Sequence, residues 1–442
     1  MDMTPKEIVS YLDDYIIGQK DAKKTIALAL RNRYRRMQLD TELQEEIMPK
    51  NILMIGSTGV GKTEIARRLA KMMKLPFVKV EASKYTEVGF VGRDVESMVR
   101  DLVYESINLV KKEYEEAIQE EIDKEVVKKI VELLVPPLPN GATESAKKSF
   151  IKTYNLMEEK VINGSIDDKI ITIEVPKKTQ VEVVDTNLPM DISVVSEGLS
   201  NILGRFDKNK IKKDVTIKKA KKLLRSEVSE NLLDQEVIKD EAIQRCENGG
   251  IIFLDEIDKI ATGNNGKNQD PSKEGVQRDL LPIVEGSSVH TKYGQVKTDH
   301  ILFIAAGAFH VSKPSDLLPE LQGRFPLRVE LEPLDEEALY KILTNTKNSL
   351  LKQYEALLGV EGVNLVFEDE AIREFAKFSV NANEKTEDIG ARRLHTVIEK
   401  VLEDISFYAD EKAGETITIT KDLVKEKLQD ILDDEDSARY IL

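Results

Sequence analysis

Residues 56–63 read Gly56-Ser57-Thr58-Gly59-Val60-Gly61-Lys62-Thr63, a glycine-rich loop whose flanks leave few folds able to present it. The apolar run Asn51-Ile52-Leu53-Met54-Ile55 before it predicts a buried strand. After it, residues 64–72 place their apolar side chains on one helical face. Glycines let the backbone N–H groups turn around phosphate oxygens, and the new helix aims the positive end of its dipole at them. In this setting Lys62 reaches the β and γ phosphates, and the Thr63 hydroxyl can ligate Mg²⁺. A second apolar run, Phe77-Val78-Lys79-Val80, follows Pro76. Strand, loop, helix and strand in that order predict an α/β fold on a parallel sheet that holds a nucleotide.

With 442 residues the chain is long enough for two to four domains. Its net charge of −15 argues against gripping nucleic acid as a main task, since that affinity comes largely from Lys and Arg. Lysine is dense locally from Lys208 to Lys222, which reads first as a solvated helix face or loop and second as a nucleic-acid patch. One cysteine, Cys246, excludes an intrachain disulfide framework and reads as a packed thiol. The four histidines have no metal-ligand spacing, so no zinc site is expected. Met1-Asp2-Met3-Thr4 does not open a secretory leader, and no apolar run approaches membrane length. A cytoplasmic protein without membrane contact is expected.

The next strand with chemical content is Ile251-Ile252-Phe253-Leu254, which ends in Asp255-Glu256. On such a strand the first carboxylate handles Mg²⁺ and the second polarises the water that attacks the γ-phosphate. About 190 residues separate the pair from the phosphate loop, more than a compact core needs. An inserted lobe is therefore predicted at 109–243. Apolar residues at spacings of three and four from Glu96 to Leu134 predict one long exposed helix of the kind that pairs as a coiled coil. Residues 170–175 and 180–184 alternate and predict a hairpin, and a helix is predicted from Lys218 to Arg245. The predicted nucleotide-binding domain is thus discontinuous, 1–108 and 244–330. It includes a helix through Leu280 and a buried strand at Ile301 to Ala306. A smaller α+β domain is predicted at 331–442, with helices at 336–358, 369–380 and 390–408, a strand at Thr416 to Thr420 and a terminal helix.

Phosphoryl transfer also asks for positive charge on the γ-phosphate. Leu321-Gln322-Gly323-Arg324-Phe325 and Gly390-Ala391-Arg392-Arg393-Leu394 carry the candidate arginines, each weak by itself. Together with Tyr15-Ile16-Ile17-Gly18-Gln19, Glu87-Val88-Gly89-Phe90-Val91-Gly92, Leu281-Pro282-Ile283-Val284-Glu285-Gly286 and the terminal Arg439-Tyr440-Ile441-Leu442, they form an ordered set spanning the chain. That set resembles the AAA+ ATPases of the Clp/Hsp100 unfoldase group.

The resemblance implies an AAA+ P-loop NTPase that hydrolyses ATP with Mg²⁺, forms a homohexamer, and feeds unfolded or tagged proteins to a separate peptidase ring. It implies that Ile17 touches adenine and that Gly59, Val60, Gly61, Lys62, Thr63 and Glu64 hold the phosphates. Asp255 and Glu320 would contact nucleotide, Arg324 would act in a neighbour's site, and Arg392 would sense the γ-phosphate. Gly89, Phe90, Val91 and Gly92 would form a pore loop gripping substrate, with Phe where Tyr is commoner. Tyr440, Ile441 and Leu442 would dock on the peptidase. Ala306 stands where many such proteins place a polar sensor. A DNA motor of the RuvB kind would share the ATPase signatures, but the acidic balance speaks against it.

Overall fold

Five apolar strands form one parallel sheet, and their order explains where the phosphate loop lies. The computed structural model of the chain describes residues 3–47, 50–87, 93–138, 143–176, 210–262 and 271–433. The strands in chain order are β1 Ile52–Ile55, β2 Phe77–Glu81, β3 Ile170–Pro176, β4 Lys210–Thr216, β5 Ile251–Asp255, β6 Ser288–Thr291, β7 Gly294–Lys297, β8 Leu302–Gly307, β9 Leu327–Glu330, β10 Asn364–Phe367 and β11 Thr416–Ile419. The main sheet runs β2-β5-β8-β1-β9 with every neighbouring pair parallel. Its register sets Ile52 between Ile304 and Leu327, and Glu81 beside Asp255.

The inner strands β5, β8 and β1 are almost wholly apolar because helices cover both faces of such sheets. The edges carry charge instead: Lys79 on β2, Arg328 and Glu330 on β9 are exposed, which blunts strand addition. β1 lies between β8 and β9, both of which come from much later in the chain. Its carboxyl end therefore opens on the crevice where such sheets take ligands.

The chain forms two compact units, one joining 1–106 with 242–442, the other comprising 107–241. Two apolar cores lie within the described residues of the first unit, beside further buried apolar residues. One gathers Leu12, Ile26, Met54, Ile65, Phe253 and Ile304 around the sheet. The other gathers Leu339, Phe375, Leu394, Val397 and Ile419 beneath the parallel pair β10–β11. Leu334 packs against both. Among the described residues no helix is long and apolar enough to cross a membrane.

In the second unit, helices Gln119–Leu134, Glu144–Ile162 and Ile217–Leu232 and the antiparallel pair β3–β4 share a core of Ile122, Val126, Ile130, Val161, Ile173 and Ala220. Several expectations need correction here. The single helix predicted over 96–134 is two, Ser97–Ala117 and Gln119–Leu134, because Ile118 leaves helical geometry at φ −106° and ψ 18°. Residues 180–184, expected to complete the hairpin, lie outside the described residues; among the described residues β3 pairs with β4. Within the lysine-rich stretch Lys210–Thr216 is a strand, with Lys212 opposite Glu174 and the Thr172 hydroxyl donating to Asp214 at 2.6 Å.

The helix predicted over 218–245 is likewise two, Ile217–Leu232 and Gln235–Gly249, since Asp234 accepts from the N–H groups of Glu236 and Val237 and caps the second. Ser349 performs the same task within 336–358, separating Glu336–Thr344 from Leu350–Gly359. The strand predicted to end at Ala306 ends at Gly307.

Candidate functional site

Gly59 and Gly61 have φ of +77° and +105°, a region of backbone space that side chains rarely adopt. Gly61 starts helix Lys62–Met72, whose Ile65, Ala66, Leu69 and Ala70 bury one face against the sheet. The helix terminus is thereby fixed at the carboxyl end of β1. Lys62 is almost fully buried and its ammonium curls back to donate to the carbonyls of Gly56 and, at 2.8 Å, Ser57. Burial holds its pKa below the usual lysine value, with Arg392 pushing the same way and Asp255 and Asp258 opposing. A cation so held is poised for a polyanion.

The loop faces a cleft of about 430 Å³. Ile17, Gly59, Val60, Gly61, Lys62, Thr63, Glu64, Asp255, Glu256 and Arg392 all line it. Their elements converge from four directions. The turn carrying Ile17 is held by Gln19, whose side-chain amide donates to the Glu332 carbonyl at 2.8 Å and accepts from the Glu332 N–H at 2.9 Å. Buried Lys23 donates to the Ile16 carbonyl at 2.6 Å. Glu64 turns along its helix to Arg67 and Arg68, and the Arg68 guanidinium stacks 4.1 Å from the Tyr15 ring centroid.

Asp255 ends β5 and pairs with Lys79 of the neighbouring edge strand at 2.7 Å. Glu256 adopts a left-handed φ of +55°, costly for a residue with a Cβ, and its N–H donates to Asp255 Oδ1 at 3.1 Å. Its carboxylate accepts from the Ser83 hydroxyl at 3.0 Å. One acid is thus held by a cation, the other by a neutral donor.

The fourth direction is the start of helix Arg392–Phe407. Ala391 donates its N–H to the Gly59 carbonyl at 3.2 Å, so the turn before Arg392 lies backbone to backbone on the phosphate loop. The approach needs glycine on both sides: a Cβ on Gly59 would overlap the Ile389 carbonyl, and one on Gly390 would sit 2.6 Å from the Thr58 carbonyl oxygen.

Glu320 and Arg324 stand apart on the exposed helix Pro319–Arg324 and do not line this cleft. Arg324 pairs with Glu285 at 2.9 Å. Gly89, Phe90, Val91, Gly92, Tyr440, Ile441 and Leu442 lie outside the described residues, although Tyr85 and Arg93 bridge across the base of the segment containing the first four. Tyr15, Ile16, Leu334, Ile342, Ala391 and His395 also line the cleft and escaped the sequence reading. Tyr15 and Ile16 adjoin Ile17 and were within reach of it. Ala391 and His395 flank Arg392 on the same turn and helix, whereas Leu334 and Ile342 carry no local signal, because an apolar residue looks alike along the chain whether it faces a core or a ligand.

Comparison with known proteins agrees with this geometry. Residues 52–132 match the profile of the ATPase family associated with various cellular activities (AAA), and residues 168–328 match the AAA domain (Cdc48 subfamily). The chain is 62% identical over 443 residues to the ATP-dependent protease ATPase subunit HslU of Helicobacter pylori (strain HPAG1), covering 100% of this chain and 99% of that one. The protein of the same description from Helicobacter acinonychis (strain Sheeba) is also 62% identical with the same coverage. That from Campylobacter jejuni subsp. jejuni serotype O:23/36 (strain 81-176) is 61% identical over 445 residues, covering 100% of both chains.

Proposed function

The chain belongs to the family of HslU ATPase subunits of ATP-dependent proteases, and from that premise we propose that it is a ring-shaped unfoldase that drives substrate proteins into an HslV-type peptidase. The observation that carries this reading is the single cleft lined by the phosphate loop, Asp255-Glu256 and Arg392. ATP would lie with its phosphates against Gly59 to Glu64 and its base against Ile17. Thr63 and Asp255 line the same cleft and offer the hard oxygen donors that Mg²⁺ takes alongside water and phosphate oxygens, so the residues suit the ion. Bound there, Mg²⁺ would neutralise charge on the β and γ phosphates. Glu256, oriented by Ser83, would take the proton of the attacking water.

Arg324 and Glu320 do not line their own cleft, which suits a role in a neighbour's site within a homohexamer. Arg392 would report the γ-phosphate to the 331–442 domain, which packs around its own core. Residues 1–108 with 244–330 would form the nucleotide-binding domain and 109–243 the inserted intermediate domain. Phe90, between Gly89 and Val91-Gly92, would give sequence-independent apolar grip on a translocating chain. Tyr440, Ile441 and Leu442 would dock on the peptidase. The protein would work in the cytoplasm without nucleic acid or membrane.

The test mixes the purified chain with an HslV-type peptidase and a folded fluorescent substrate. ATP-dependent loss of fluorescence is expected. Removal of residues 440–442 should abolish that loss while leaving ATP hydrolysis largely intact. Hydrolysis without degradation by the full chain would sink the peptidase partnership, and no hydrolysis at all would sink the whole reading.

A further inference from the structure

The Arg392 side chain reaches the cleft from the first position of its helix, directly after the turn at 386–390. That turn is held from within. Asn383, near the end of the preceding helix Asp369–Lys385, donates from Nδ2 to the Gly390 carbonyl at 3.2 Å and accepts at Oδ1 from the Ile389 N–H at 3.4 Å. The same Oδ1 accepts from Arg393 Nε at 3.1 Å. Arg393 is only 1% exposed, and its guanidinium also donates to the Thr386 hydroxyl and the Glu387 carbonyl, each at 2.7 Å. Asp388 Oδ1 accepts from the Gly390 N–H at 2.9 Å. One amide and one buried guanidinium thus tie down residues 386–390, the stretch whose Gly390 touches Thr58 and Gly59.

A buried arginine on loop acceptors is a costly arrangement in a turn that solvent could otherwise satisfy. It holds the loop in one conformation, and that conformation places Arg392 in the cleft. We propose that Asn383 and Arg393 are positioning residues that hold the 386–390 turn on the phosphate loop and so set how Arg392 meets the γ-phosphate. The proposal rests on reading the cleft as the ATP site. It adds that the small-domain arginine acts through a side-chain clamp rather than by helix placement alone.

The experiment is a double-mutant cycle on the full-length protein, with affinities for ATPγS and ADP measured by fluorescence titration. Asn383→Ala should weaken ATPγS binding about tenfold and ADP binding much less, because the disturbed contact is to the terminal phosphate. Arg392→Ala should show the same preference. Adding Asn383→Ala to Arg392→Ala should then cost almost nothing further. Additive losses, or equal losses for both nucleotides, would show a merely structural role and overturn the proposal, as would wild-type affinity in Asn383→Ala. If Asn383→Ala does not fold, Asn383→Asp replaces it. That variant keeps the acceptor for Arg393, loses the donor to Gly390, and must show the same ATPγS-selective loss. Lys62→Ala is the control: normal nucleotide binding by that variant would mean that the cleft itself has been misread.

Discussion

At the scale of single residues, the two acids at the end of β5 are held differently, which suits the separate roles proposed for them. Among the described residues Asp255 is paired to Lys79, whereas Glu256 stands on a strained backbone and accepts from the Ser83 hydroxyl. Glu256→Gln should keep nucleotide affinity and lower turnover by about 100-fold or more. Unchanged hydrolysis in a steady-state assay would remove Glu256 from that role. His300 is a second residue with a measurable consequence. Its Nε2 lies 2.7 Å from the Arg36 guanidinium, and burial followed by Arg36 and Arg33 depresses its pKa below 6.5 against the pull of Asp299. The unfolded chain therefore binds the proton that the native state refuses. That cost is absent above about pH 6.5 and grows as pH falls towards the native pKa. His300→Asn should shrink the drop in Tm between about pH 8 and about pH 5.5, read by thermal melts. An equal drop in both proteins would mean that other groups carry the acid sensitivity.

At the scale of elements, capping side chains decide where long helical patterns break. Apolar periodicity runs through 218–245 without interruption, yet Asp234 turns the chain by offering its carboxylate to the first N–H groups of the next helix. The helix it starts, Gln235–Gly249, leads straight into β5 and the acidic pair. Asp234→Ala should cost that helix about 1 kcal/mol, seen as roughly fivefold faster amide exchange within 235–249. Exchange unchanged there would show that packing alone sets the boundary. The same physics explains the β3–β4 pairing. Alternation marks a strand but does not name its partner, and here the partner is separated from β3 by more than thirty residues.

At the scale of the whole molecule, Arg324 is the residue whose proposed role needs another copy. It is held by Glu285 at the surface and does not line the phosphate cleft of its own chain. Arg324→Ala and Lys62→Ala proteins should each be inactive alone, the first through its neighbour's site and the second through its own. Mixed in equal amounts, they should recover ATPase activity of about a quarter of wild type, since one neighbouring pair in four combines both intact parts. No recovery after subunit exchange would rule out a shared site.

By itself the sequence determined the local chemistry: the phosphate loop between β1 and its helix, and the two acids at the end of a buried strand. These are legible because the residues that act together are contiguous and the backbone form they need is encoded in glycine and apolar spacing. The candidate arginines could be named from the chain, but their opposite placements could not. Only the tertiary structure set Arg392 in the cleft and Arg324 outside it, laid Gly390 on Gly59, brought Lys79 to Asp255, and ordered the sheet as β2-β5-β8-β1-β9. Each of these joins residues far apart in sequence, where no period or motif links the partners. Packing of the separate segments chooses among pairings that look equivalent along the chain.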